Sequence, residues 1–185
     1  MCRWLGFVAA GCIASGLGGC VRLPEGTTAV QPFALDRYLG RWYEIARLDH
    51  HFESGLDCVT ASYSRREDGG VRVVNRGVDL DEGETSESVG KAYFIDNANT
   101  GRFKVSFFGP FYAGYNIVAL DDGYRHALIA GPNRDYLWIL SRTPDLEPQI
   151  RQALREQAAG LGFPTDELVF PDQGHACAPY RKTDA

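Results

Sequence analysis

The chain has 185 residues, enough for one domain with a substantial core, and its 44% hydrophobic and 12% aromatic content excludes a disordered polypeptide. Its 21 glycines, scattered among short apolar stretches, favour turns and strands over long helices. Acids outnumber bases 24 to 19 and no Lys/Arg cluster occurs, so the electrostatic footprint of a nucleic-acid partner is missing.

In residues 1–19 a single Arg3 precedes an uncharged run from Trp4 to Leu17. That run is short for a membrane-spanning helix and has the layout of a secretory signal. Leu17-Gly18-Gly19-Cys20 resembles a bacterial lipobox, in which Cys20 would be acylated and become the first mature residue. An ordinary signal peptide that happens to contain cysteine is the alternative. Cleavage there leaves 18 bases against 24 acids, a net charge of −6. Each buried acyl CH₂ contributes about 0.8 kcal/mol, so several chains on Cys20 would hold the protein to a bilayer. Val21 stands where, in the sorting pattern this resembles, an Asp would favour the inner membrane. An outer-membrane anchor facing the periplasm is therefore expected. Residues 20–34 read as the lipidated Cys followed by a flexible tether, with Pro24, Gly26 and two Thr, and residues 35–180 as the folded domain.

From Tyr38 onward the pattern predicts strands near Gly40–Leu48, Cys58–Arg65, Gly70–Val78, Glu87–Ile95, Arg102–Phe108, Gly114–Asp121, Tyr124–Gly131 and Tyr136–Arg142. Turn signals such as Asp68-Gly69-Gly70, Asp81-Glu82-Gly83 and Asp122-Gly123 separate them. Short strands at roughly ten-residue spacing indicate an antiparallel sandwich or closed barrel. Leu146, Ile150, Leu154 and Ala158 then recur every four residues, the signature of an amphipathic helix with Pro148 in its first turn and its end at Gly160 or Gly162. A short ninth strand, Glu167–Phe170, follows.

Gly40-Arg41-Trp42-Tyr43-Glu44 matches the G-x-W-Y pattern that opens a lipocalin barrel. Leu120-Asp121 and Tyr124 partly keep that family's second motif, and Arg142, ending the eighth strand before the helix, matches its third. The stretches WYEIARLDHHFE, KVSFFGPFYAGYN and YRHALIAGPNRDYLWILSRTP resemble the bacterial outer-membrane lipoprotein branch of the lipocalins (Blc type) and, beyond it, the apolipoprotein D branch. The resemblance covers nearly all of residues 35–171. It implies an all-β fold: an eight-stranded antiparallel up-and-down barrel with one C-terminal α-helix and a short ninth strand. It also implies that Gly40, Trp42, Asp121 and Arg142 close one barrel end, with the Arg142 guanidinium laid across the Trp42 indole.

Apart from Cys20 and the cysteines of the signal, Cys58 and Cys177 remain, and an even pair in an exported chain is most simply a disulfide. Apolipoprotein D-like lipocalins carry a bridge at matching positions. The competing reading leaves Cys58 as a free nucleophile.

Strand alternation from Trp42, together with the resemblance, gives a candidate cavity lined by Val73, Asn75, Ala92, Phe94, Phe103, Val105, Phe107, Tyr115, Ile117, Ala127, Ile129, Trp138 and Leu140. Asn75 and Tyr115 could anchor a head group. A mostly apolar cavity with few polar groups suits an amphiphile. The segment Phe107–Tyr112 could form an apolar lip, a homodimer contact or a membrane-touching edge.

No G-x-S-x-G occurs, and His50, His51, His126 and His175 lack metal-ligand spacing, with surface or mouth positions expected for them. Asp79, Asp81, Glu82, Glu84 and Glu87 crowd one predicted turn but miss the calcium-loop pattern. No cofactor, metal or catalytic residue is expected. Two function classes remain: a membrane-anchored module that binds and stores or transports fatty acids or lysophospholipids, which the family resemblance implies, and a lipocalin-fold enzyme using Cys58 or a cavity Tyr on a lipophilic substrate.

Overall fold

A computed structural model describes residues 21–183; residues 1–19, read as a signal, and Cys20, read as the lipidated residue, lie outside the described residues. A short helix α1 (Leu35–Tyr38) leads into strands β1 (Gly40–Leu48), β2 (Asp57–Arg65), β3 (Val71–Asp79), β4 (Glu84–Phe94), β5 (Arg102–Ser106), β6 (Ala113–Leu120), β7 (His126–Ala130) and β8 (Leu137–Ser141). Helix α2 (Pro148–Gly160), strand β9 (Leu168–Val169) and a terminal 3₁₀ segment (His175–Thr183) follow. All pairings are antiparallel and run in the order β2-β3-β4-β5-β6-β7-β8-β1-β9, with β1 also pairing β2, so the sheet closes into a barrel. Closure removes the exposed edges that an open sheet would leave.

Two apolar clusters follow from this closure. One fills the barrel interior. The other lies outside, where Leu154, Ala158 and Phe163 cover Ile45, Ala46, Leu128, Leu137 and Ile139. Strands β7 and β8 are therefore buried on both faces, which accounts for their near-continuous apolar sequence. Leu146 and Ile150 complete the expected four-residue stripe by packing on the same cluster.

Several boundaries differ from expectation, each for a local reason. Strand β4 begins three residues earlier than predicted, because Gly83, at φ +70°, makes the tight turn and returns the acidic stretch to the sheet. Glu87, expected at the start of this strand, lies three residues inside it, and its carboxylate meets the Arg76 guanidinium at 2.7 Å. Strand β5 stops at Ser106, which leaves Phe107 and Phe108 in the turn that follows. Tyr124 sits in the β6–β7 turn at φ +57°, before β7, and its hydroxyl accepts from the Ala34 amide.

The largest departure is the segment before α1. Read as a tether, residues 21–34 instead lie along the barrel wall, because the barrel supplies partners for their backbone groups. Val30 donates to Ile117 O at 2.8 Å and accepts from the Gly101 amide at 3.0 Å. Asn116, fully buried, donates to Arg22 O at 3.2 Å, and Arg134 reaches Glu25 O at 2.6 Å. Phe33 packs inside with Tyr38 and Phe103.

Candidate ligand-binding site

One end of the barrel is shut. Trp42 has no exposed surface, and its indole N–H donates to Tyr38 O at 2.8 Å. The Arg142 guanidinium lies 4.0 Å from the indole ring and donates to Arg41 O and Arg37 O at 2.8 Å each. The stacked cation contributes about 0.5–2 kcal/mol, according to its desolvation. Gly40 belongs here for two reasons: its φ is +94°, and a Cβ would stand 3.3 Å from the Arg142 Nη1. Asp121 ties the neighbouring turn, accepting from the amides of Gly123, Arg125 and His126 and from the Arg125 guanidinium. Burial works against its charge, but these donors outweigh that and hold the carboxyl down to about 2.

Above this floor, the apolar positions expected to line a cavity fall within one interior cluster. Val73, Ala92, Phe103, Ile117, Ala127, Ile129 and Leu140 are buried wall residues. Val105, Phe107, Tyr115 and Trp138 are half-buried and mark the accessible part. Phe94 belongs with the floor, its ring 4.3 Å from Phe103 and 6.3 Å from Phe33. Asn75, between Ala61 and Ser88 in the sheet, has a buried side-chain oxygen without a hydrogen-bond partner among the described residues. Tyr115 differs from the expected free head-group anchor. Its hydroxyl is shared with Tyr38 at 2.6 Å and Tyr63 at 2.8 Å. Burial pushes all three phenols up, so they are neutral at any physiological pH.

Sequence alternation missed a charged group in the other half. The β1–β8 register shifts between Glu44 and Ala46, so Ile45 and Ala46 both join the outer cluster while Glu44 and Arg47 pair with the inward Leu140 and Trp138. Arg47, 3% exposed, donates to Glu44 at 2.9 Å and gathers the β1–β2 loop through Glu53 O at 2.7 Å and Leu56 O at 3.3 Å. Trp138 Nε1 donates to the Glu53 carboxylate at 3.1 Å. The His50 side chain, expected at the surface or mouth, is only 5% exposed, 3.2 Å from Glu53 and stacked on Phe52 with ring centres 3.9 Å apart. Burial first, then Arg47, brings its pKa down to about 4. No group of three metal-ligating side chains occurs among the described residues.

Burial pushes the Glu44 carboxyl up to about 8, aided by Glu53 and opposed by Arg47. An unfolded Glu titrates near about 4.3, so between that value and about 8 the folded chain holds the extra proton. Stability from this group therefore declines as pH rises through that window. His50 has the opposite slope, but its contribution is complete above about 6.5. Between pH 6.5 and 8 the parent is expected to lose stability relative to Glu44→Gln, by on the order of 1 kcal/mol or more. Chemical denaturation of both proteins across that range checks it; parallel pH profiles would remove Glu44 as the source.

Cys58 and Cys177 form a disulfide across 119 residues of sequence, which takes the Cys58 thiol out of consideration as a nucleophile. The bridge fixes the terminal 3₁₀ segment against β2, and Cys177 is fully buried.

A barrel closed at one end by the Trp42–Arg142 stack, lined by apolar side chains and flanked by an outer helix defines the lipocalin class. A family model described as "Lipocalin-like domain" matches residues 33–173, and the chain belongs to that family. The chain is 53% identical over 150 residues to the outer membrane lipoprotein Blc of Citrobacter freundii, spanning 81% of this chain and 85% of that protein. It is 49% identical over 158 residues to the outer membrane lipoprotein Blc of Vibrio cholerae, covering 85% and 92% respectively. Among solved structures, insecticyanin of the tobacco hornworm Manduca sexta shares the fold with a TM-score of 0.67 at 20% identity, over 85% of this chain and 89% of that one.

Proposed function

We propose that this chain is an outer-membrane lipoprotein, cleaved and acylated at Cys20 and facing the periplasm, whose barrel binds and stores or transports fatty acids or lysophospholipids. The observation that carries the reading is the pairing of a shut floor with a half-buried apolar wall of Val105, Phe107, Tyr115 and Trp138. Apolar surface of this kind suits an acyl chain, and burial of about ten CH₂ groups would release roughly 8 kcal/mol before ordering costs. That is compatible with micromolar binding. The names of the Blc relatives support the location.

The enzyme reading finds no support in the groups it needs. Its thiol is bridged, and its tyrosines are held neutral by burial. The test is native mass spectrometry of protein expressed in bacteria, followed by displacement of a fluorescent fatty acid. A single-chain amphiphile carried through purification, competing with the probe, is the expected result. Val105→Trp, which narrows the accessible half, should weaken that competition. Consistently ligand-free protein that never takes up the probe overturns the reading.

A further inference from the structure

The β5–β6 turn carries the most exposed large apolar side chains among the described residues: Phe108 at 80% and Phe111 at 79% exposure. Two such rings on one turn form an apolar patch of the kind that marks an interaction surface. The seat of Val21 and Arg22 on the barrel indicates which one. Val21 and Arg22 lie directly on the start of β6, where a Cβ on Gly114 would meet Arg22 O at 3.0 Å and the Val21 carbonyl carbon at 3.3 Å. Arg102 donates to Val21 O at 3.3 Å and Asn116 donates to Arg22 O at 3.2 Å. Cys20 is one peptide, about 3.8 Å, before Val21, and Phe111 is three residues, at most about 11 Å, before Gly114. The residue read as lipid-bearing therefore lies within about 20 Å of the phenylalanine pair.

We infer that the β5–β6 turn is a membrane-docking edge, in which Phe108 and Phe111 enter the interface of the phospholipid leaflet that holds the Cys20 acyl chains. The inference rests on the reading of Cys20 as the acylated residue. With the chain fixed to the wall from Val21 onward, no free tether separates anchor and barrel, so this side of the barrel must lie at head-group depth. The side chains behind the two rings suit that depth. Tyr112 has the Lys104 ammonium 5.2 Å from its ring centre and packs near Tyr93 at 6.5 Å, an aromatic and cationic girdle of the kind found at membrane interfaces. The geometry also links docking to cargo. Phe107 belongs to the interior wall and its neighbour Phe108 to the outside, so a single peptide bond joins the interior wall to the membrane edge.

The experiment uses the acylated protein in phosphatidylethanolamine/phosphatidylglycerol vesicles containing brominated phospholipid. Tryptophan is introduced in turn as Phe111→Trp and, in the exposed β2–β3 turn at the shut end, as Glu67→Trp. Quenching beyond that of the parent protein is expected at position 111 and not at 67. Equal quenching at both, or none at 111, overturns docking. Loss of quenching together with a dimer that disappears in Phe108→Ser/Phe111→Ser assigns the patch to a second copy instead, and also overturns it. The anchor is read separately, as acyl mass on the N-terminal peptide. Should that mass be absent, the Cys20→Ser protein still reports on the edge: its vesicle partitioning should fall about tenfold or more on Phe108→Ser/Phe111→Ser, since affinity follows buried apolar area. Unchanged partitioning would refute the docking edge independently of the anchor.

Discussion

Replacing Cys58 and Cys177 together by serine is expected to remove about 4–5 kcal/mol of stability and to lower Tm by roughly 10–15 °C. The bridge closes a loop of 119 residues, and in the chain-entropy account long loops are those whose closure restricts the unfolded state most. The native side of the balance is local. Strands β1 and β2 pair only from Gly40 to Tyr43, and beyond that point the C-terminal tail fills the seam. Gln173 donates to Glu44 O at 3.1 Å and to Val59 O at 2.8 Å, spanning the two strands, while the Cys58 amide donates to Asp172 O at 2.8 Å. Thermal unfolding of the oxidised parent against the double serine variant measures the effect. A loss under about 1 kcal/mol would show that the tail holds without its covalent staple.

Above pH 8, where Glu44 is ionised, Arg47→Met is expected to cost about 3–5 kcal/mol, more than an exposed arginine could, because it strands the Glu44 carboxylate in the barrel without its partner. Both side chains are 4% exposed, so no water replaces the lost contact. The same substitution releases Glu53 O and Leu56 O, which fix the β1–β2 loop. The second site separates these contributions. Arg47→Met/Glu44→Leu should recover most of the stability, since exchanging a whole buried pair for apolar side chains is often close to neutral, but not the share owed to the loop carbonyls. Faster hydrogen exchange at Glu53 and Leu56 in both variants is the accompanying sign. Were the double variant no more stable than Arg47→Met, the cost would lie in the loop and not in the unpaired carboxylate.

The difference between Trp42 and Arg47 shows what a linear reading can and cannot reach. Trp42 is found from its neighbours Gly40 and Tyr43, and its cap Arg142 from a position just before a helix whose four-residue stripe is plain in Leu146, Ile150, Leu154 and Ala158. Arg47 lies on the same strand five residues on, yet strict alternation from Trp42 turns it outward. The bulge at Ile45 reverses that parity, and a bulge is set by the partner strand's register, which no local pattern displays. Glu44 precedes the bulge and was within reach of simple alternation. His50 gave no signal, because a histidine between Asp49 and His51 reads as solvated until Phe52 and Trp138 are seen to enclose it.

Features with a local cause were legible along the chain: strand alternation, turn glycines, the amphipathic helix, the motif residues that shut the barrel, and a cysteine pair with one partner each. Tertiary structure alone decided the features that depend on distant backbone meeting distant backbone. It turned Arg47 into the barrel beside Glu44 and tied Tyr115 to Tyr38 and Tyr63. It also laid residues 21–34 on the wall, where Ile117 and Asn116 satisfy groups that the isolated segment would leave to water. The physical reason is the same each time. A side chain's direction is set by its own strand, whereas its partners are set by how the sheet closes.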